Sequence, residues 1–382
     1  MDYKLITSNE QLKIVCEQAS QVAQIALDTE FIRTRTYYPR LGLIQLFDGK
    51  QTSLVDPLEI SDWQPFRDLL INPNVVKLLH ACSEDLEVFF HEFNVLPNPL
   101  IDTQILAAFN QRSLSTGFAA LVAEYLHIEL DKSESRTDWL ARPLSERQCI
   151  YASADVFYLL PIADIILKET EQLQWLDAAQ NECDMISKRR CEILAPEQAY
   201  LDITNAWQLN RQQLACLKAL AAWRLNQARE RDMAVNFVVR EENLWTVARY
   251  QPTSLAELKS LGLSEPEIRY HGRTLLRLVA EAKNVPEENL PEQITRIVDH
   301  AGYKKLFKDI KSLIQIVAAE SGLNVELLAS RRQINQLLKS YWQQNDDPQS
   351  ELLQGWRGEL MGDRLLVLLE QEAKPFMQVE SV

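Results

Sequence analysis

Short apolar runs alternate with helical stretches over residues 1–170, and helical patterning alone continues from about residue 171. This predicts an α/β domain with a mixed sheet followed by two all-α domains. The tail also carries an internal repeat. At an offset of 90 residues, Val235 falls on Val325, Leu244 on Ile334, Gly272 on Gly362 and Leu275-Leu276 on Leu365-Leu366. A repeat of that length implies two similar small domains in tandem, because solenoid units are shorter. The 382 residues exceed a usual single domain, and the expected divisions are 1–170 for the α/β domain, 171–205 for a helical connector, 206–288 for one helical domain and 289–382 for a second.

Strands are predicted at Tyr3–Ile6, Val22–Asp28, Gly42–Phe47, Thr52–Val55 and Val75–His80, each a short run rich in apolar and β-branched residues. Ser8, with Gln11 three residues on, reads as a capping box opening a helix that runs to about Ala19. Ser145 and Gln148 repeat that spelling at the head of a long helix carrying Tyr151 and Asp155. A charged connector containing Lys188-Arg189-Arg190 leads to Ala195-Pro196.

Composition narrows the classes further. Hydrophobic residues make up 46% with only 10 Gly and 15 Pro, which excludes disordered and fibrous chains. No basic-then-apolar signal opens the sequence, and no apolar run is read as approaching the roughly 18 residues that span a bilayer. A cytoplasmic protein without membrane contact is expected. Six cysteines stand without C-x-x-C spacing, so neither a zinc site nor a disulfide framework is expected. The net charge of -14 speaks against nucleic acid as a partner, yet the acid is unevenly spread. Residues 1–170 carry 14 basic and 24 acidic side chains, against 26 and 30 in the remainder.

Three blocks hold the candidate chemistry. Asp28 and Glu30 close a strand in IALDTEF; two residues apart in extended chain, they share a face and can hold cations jointly. Asp85, in LLHACSEDLEVF, falls in the first turn of a helix, where the helix dipole alone would explain an acid. Tyr151 and Asp155, in IYASADVFYLL, stand at i and i+4 and share a helix face. His80 reads as a hydrogen-bonded strand-end histidine and Asp102 as an N-cap, neither as a ligand. Arg33, Arg35, Tyr37, Tyr38 and Arg40 interleave cations with aromatics in RTRTYYPR, a pattern suited to guiding a nucleic-acid strand and equally to a solvated loop.

Together these blocks resemble the DEDD exonuclease superfamily in its tyrosine-bearing branch. DTEFIRTRTYYPRLGLIQL, HACSEDLEVF and DWLARPLSERQCIYASADVFYLL, with the paired helical domains, are similar to the bacterial ribonuclease D family over essentially the whole chain. The resemblance implies an RNase H-like 3′–5′ exonuclease domain, two HRDC-like domains, and two divalent ions, Mg²⁺ or Mn²⁺, held by Asp28, Glu30, Asp85 and Asp155. Tyr151 would position the attacking water. The implied reaction removes nucleoside 5′-monophosphates from RNA with 3′ extensions, especially tRNA precursors, and a monomer is expected. A 3′–5′ DNA exonuclease and an inactive RNA-binding adaptor are the alternatives. Basic stretches around Arg224, Arg229 and Arg231, and at Lys304-Lys305-Leu306-Phe307-Lys308, are candidates for holding a large RNA.

Overall fold

The structure, a computed structural model, describes residues 2–343 and 350–372, so 344–349 and 373–382 of the expected second helical domain lie outside the described residues. The described chain divides into two compact units. One comprises the described residues of Met1–Ile32, Leu41–Cys191 and Ile297–Val382; the other comprises Arg33–Arg40 and Glu192–Arg296.

In the first unit, β1 (Tyr3–Ile6), β2 (Gln24–Ile32), β3 (Arg40–Phe47), β4 (Thr52–Val55), β5 (Val76–Leu79) and β6 (Leu100–Asp102) form one sheet in the order β1-β4-β3-β2-β5-β6. It is mixed: β1 runs parallel to β4, β2 to β5 and β5 to β6, while β3 and β4 are antiparallel. Helices α1 (Asn9–Ala19), α2 (Gln64–Leu70) and α3 (Ser83–Phe93) share a core with the Ile25 and Leu27 side of β2. After α4 (Thr103–Phe109) and α5 (Phe118–Leu126), α6 (Glu146–Gln172) packs Val156 and Leu159 against Ala26 on the opposite side, and α7 (Leu176–Cys191) follows.

Capping explains where helices begin. Ser8 Oγ accepts the Gln11 N–H at 3.3 Å, but the Gln11 side chain returns to the Thr7 N–H at 2.9 Å, so the expected box closes one residue early. At Ser145 both halves form with Gln148. One expectation needs correction: α6 is by itself long and apolar enough to cross a membrane, by length and composition. Its apolar positions have another use, because Ala152, Val156, Leu159, Ile162, Ala163 and Ile166 are buried in the core of the unit. Lys77, inside the apolar run of β5, is fully buried, and its ammonium donates to the carbonyls of Asn72, Val75 and Asn98 at 2.7–2.9 Å.

The 90-residue repeat is a structural repeat. The second unit contains α8 (Arg211–Glu230), α9 (Val235–Val238), α10 (Glu241–Tyr250), α11 (Leu255–Ser260) and α12 (Glu265–Lys283). The helix starts at Val235, Glu241 and Glu265 recur at Val325, Arg331 and Gly355, following α13 (Tyr303–Ser321), in α14 (Val325–Leu328), α15 (Arg331–Gln343) and a last helix interrupted by a π-helical segment at Gly358–Gly362. The matched glycines differ in role. A Cβ at Gly272 would come 2.7 Å from Leu255 Cδ2, so its absence lets α11 close on α12, whereas nothing lies within 4 Å of one at Gly362.

The second copy is continuous with the core of the first unit. Ile310, Ile314, Leu338 and Trp356 join one cluster with Phe109, Ile162 and Ala179. Trp356 meets the Phe109 ring at 5.1 Å and donates from Nε1 to Glu182 at 2.9 Å, while the buried Arg357 pairs with the same carboxylate. Trp356→Ala should therefore lower the unfolding free energy by about 3–5 kcal/mol, the usual cost of deleting a buried large aromatic. Urea denaturation of the whole protein measures it, and a loss under about 1 kcal/mol would contradict this packing.

Candidate active site

Register builds the site. β2 pairs with β5 only through Gln24, Ile25 and Ala26, so Asp28 and Glu30 lie on the length of β2 that overhangs the carboxyl end of β5. Crevices at the carboxyl ends of parallel strands are where α/β sheets place ligands. There the carboxylates of Asp28, Glu30 and Asp155 converge, with oxygens all within 4.8 Å of one another. Asp155 reaches them from α6, one turn after Tyr151, whose hydroxyl donates to it.

Asp85 stands outside that group of three and comes from the other side of the sheet. Its Oδ1 accepts from the Thr29 hydroxyl, the side chain between the two β2 acids. The turn before it is held by Asp102, which caps α4 through the Gln104 N–H and also accepts from the N–H groups of Ala81 and Cys82, each at 2.9 Å. Ala81 has φ of 55°, a left-handed conformation that turns β5 sharply into α3. Asp102 is thus the N-cap expected of it and a brace for Asp85 besides. His80 bonds Thr103 Oγ1 and the Thr116 carbonyl, at 2.9 and 3.1 Å, as a hydrogen-bonded histidine should.

Electrostatics follow from crowding acids out of water. Burial, then repulsion from Asp28, Asp155 and Asp85, pushes the Glu30 carboxyl up to about 10. Burial pushes Asp155 up to about 7 against the Tyr151 hydrogen bond. Burial first, and a neighbouring aspartate second, holds Asp28 and Asp85 well above the usual carboxylate range. The Tyr151 phenol is raised too, by burial and then Asp155, so it keeps its proton. A compact set of hard oxygen donors with surplus negative charge fits divalent cations of the Mg²⁺ kind, and no soft ligand joins it among the described residues.

Two supports escape a reading of the sequence. Arg142, from DWLARP, forks onto Asp56 at 2.5 and 2.7 Å and donates to the Gly42 and Trp139 carbonyls at 2.7 and 2.9 Å. It fixes the loop whose buried Trp139 ring lies 6.0 Å from Tyr151. At Gly42 an added Cβ would come 2.7 Å from the Trp139 carbonyl oxygen. The second support is Thr29. The family likeness of the segments DTEF and DWLARP is the one signal that could point to either.

The basic loop has a different setting from the site acids. Within the second unit, Asp232 accepts the Tyr37 and Tyr38 N–H groups at 3.1 and 2.9 Å, the Arg35 carbonyl accepts from Ala234 at 2.8 Å, and Arg229 Nε donates to the Tyr37 hydroxyl at 3.2 Å. Arg33, Arg35 and Arg40 are exposed. Arg224, expected as an RNA contact, is instead buried and bonds the Val239 carbonyl at 3.2 Å, a correction that follows from its place on the inner side of α8.

Acids on the overhang of a strand joined by an acid and a tyrosine from one helix define a DEDD-type 3′–5′ exonuclease, and a 3′–5′ exonuclease profile matches residues 3–171. An HRDC domain profile matches 213–279 and a ribonuclease D C-terminal HRDC domain profile 301–365. Ribonuclease D of Serratia proteamaculans is 63% identical, covering 97% of this chain and 100% of its own length; that of Escherichia coli is 59% identical, with 97% and 99% covered. The crystal structure of Escherichia coli RNase D superposes with a TM-score of 0.96 at 58% identity, covering 98% of this chain and 100% of that one. The chain belongs to the ribonuclease D family.

The raised pKa values set a pH dependence. The unfolded chain releases these protons near pH 4, whereas the native metal-free site holds them up to about 7 at Asp155 and about 10 at Glu30. The native state binds more protons in that window, so metal-free stability falls as pH rises through it. Bound cations remove the repulsion. The gap in Tm between Mn²⁺-loaded and chelator-treated protein should widen from pH 5 to pH 8; a constant gap would refute the shifts.

Proposed function

We propose that this chain trims the 3′ ends of structured RNA, tRNA precursors above all, by a two-metal hydrolysis that releases nucleoside 5′-monophosphates. The observation that carries the reading is the convergence of Asp28, Glu30 and Asp155 beside Tyr151 on the overhang of β2. The solved relative from Escherichia coli is described as an exoribonuclease involved in structured RNA processing, which supports the choice of substrate.

Each side chain has a task. Asp28, Glu30, Asp85 and Asp155 would hold two divalent cations, Mg²⁺ or Mn²⁺, and so draw the scissile phosphate and a water into the crevice. Bound ions supply a water of lowered pKa and stabilise charge on the leaving oxygen. Tyr151 stays a neutral phenol, so its task is to orient the water by a hydrogen bond and not to take its proton. Arg33, Arg35 and Arg40 meet phosphates, while Tyr37 and Tyr38 shape the loop that presents them. We assign catalysis to residues 1–170 and the hold on folded RNA to the helical domains, whose exposed basics include Lys304, Lys305 and Lys308. We propose a cytoplasmic monomer.

The deciding experiment incubates full-length protein with a 3′-extended tRNA precursor and with matched single strands of RNA and DNA. Shortening of the RNA from its 3′ end with Mg²⁺, abolished by chelator, is expected; equal or faster digestion of DNA would move the assignment to a DNA exonuclease.

Two substitutions test the residue roles. Asp155→Asn keeps the volume but removes an anionic ligand, and should abolish turnover in a folded protein. Tyr151→Phe should lower kcat by roughly 10²–10⁴-fold with little change in RNA affinity. If affinity falls and kcat holds, Tyr151 is a substrate contact and its role as water-orienter is wrong.

A further inference from the structure

The connector helix α7 begins beyond the segment that matches the exonuclease profile, at residue 176 against a last matched residue of 171. It nevertheless belongs to the first unit and grips the elements behind the acids. Gln180 Nε2 donates to the Leu100 carbonyl on β6 at 3.0 Å, and Cys183 Sγ accepts the Asp102 N–H at 3.3 Å. Further along, Arg190 donates from Nε and Nη2 to Ser83 Oγ at 3.0 and 2.6 Å, and from Nη1 to Glu87 at 3.2 Å.

Ser83 is the first residue of α3, and Glu87 lies one turn on, so the two share a helix face. Asp85, two residues from each, points away from that face toward Thr29. The turn that carries Asp85 is therefore fixed from three directions: by Arg190 outside, by Thr29 inside, and by Asp102 at the preceding Ala81-Cys82 peptides. A cation at a helix N-terminus opposes the helix dipole, so stabilising α3 is a poor reason for an arginine here. Its hydrogen bonds go to Ser83 and Glu87 on the far face and not to the Asp85 carboxylate. What remains is placement.

We propose that Arg190 is a positioning residue for Asp85, and that α7 is thereby part of the catalytic machinery although it lies outside the exonuclease module. The inference rests on the reading of Asp85 as a metal ligand. Groups that orient ligands from behind typically change metal affinity by 10–100-fold when removed.

The test measures Mn²⁺ binding by titration calorimetry on full-length, chelator-stripped protein without RNA, for wild type, Arg190→Ala, Asp85→Asn and the double variant. Arg190→Ala is expected to raise the Mn²⁺ Kd about tenfold, and to add nothing in the Asp85→Asn background. An unchanged Kd in folded Arg190→Ala, or an equal rise in both backgrounds, overturns the proposal. If Asp85→Asn itself leaves Mn²⁺ binding intact, the reading of Asp85 as a ligand has failed, a distinct result. Should Arg190→Ala not fold, Ser83→Ala, which leaves the guanidinium its Glu87 partner, takes its place: a raised Kd supports the proposal and an unchanged one overturns it.

Discussion

Carboxylates pressed together out of water repel one another, and the first unit is organised around holding four of them in place. No covalent or apolar force pulls Asp28, Glu30, Asp85 and Asp155 toward each other; burial drives all four carboxyl groups toward protonation, and repulsion from neighbouring acids adds to it at Asp28, Glu30 and Asp85. The scaffold must supply the difference. It does so through β2, which is paired to β5 through Ala26 and buried from Ile25 to Leu27 before the acids begin, and through α6, anchored below Asp155 by Val156 and Leu159. The strain is held by backbone elements that cannot swing away, which is how a site can be ready for a cation before one arrives.

The support extends outward in layers. Arg142 ties the loop beneath Tyr151 to Asp56 and Gly42, and Asp102 ties the turn before Asp85 to β6. Behind them α7 faces two ways. Its Cys183 reaches Asp102 at the end of β6 and its Arg190 the helix that carries Asp85, while its Glu182 and Arg189 meet Arg357 and Glu351 of the second helical copy. The two copies of the repeat have thus diverged in attachment as well as in sequence: one has a core of its own, and the other shares the core of the catalytic unit.

Local signals are legible in the sequence and tertiary ones are not. The bounds of β1 and β4, the caps at Ser8 and Ser145, and the N-cap at Asp102 follow from spacing and side-chain chemistry within a few residues. The shared face of Asp28 and Glu30 and that of Tyr151 and Asp155 follow from strand and helix periods. β6 goes unseen because three residues carry no alternation to detect. Arg142 with Asp56 and Arg190 with Ser83 pair across 86 and 107 residues, and no local pattern announces such partners. Arg224 shows the opposite error: a charge that looks solvated in a helical sequence is buried, because its place on α8 faces the Val239 turn. The apolar content of α6 is underrated for a related reason, since a long helix that lines a core resembles a membrane span in composition alone.

The shared core of the first unit also has a consequence for synthesis. Phe109 meets Trp356, and Ile162 and Ala179 belong to the same apolar cluster as side chains from Leu306 to Leu369, so that core of the catalytic unit stays incomplete until the last quarter of the chain has been made. At about 5–20 residues per second, translation beyond α7 takes roughly 10–40 s. During that interval the nascent nuclease exposes an unfinished apolar face while its second unit, drawn mostly from Glu192–Arg296, is already complete enough to collapse by itself. The order of the chain therefore places completion of the catalytic unit after synthesis of the second unit.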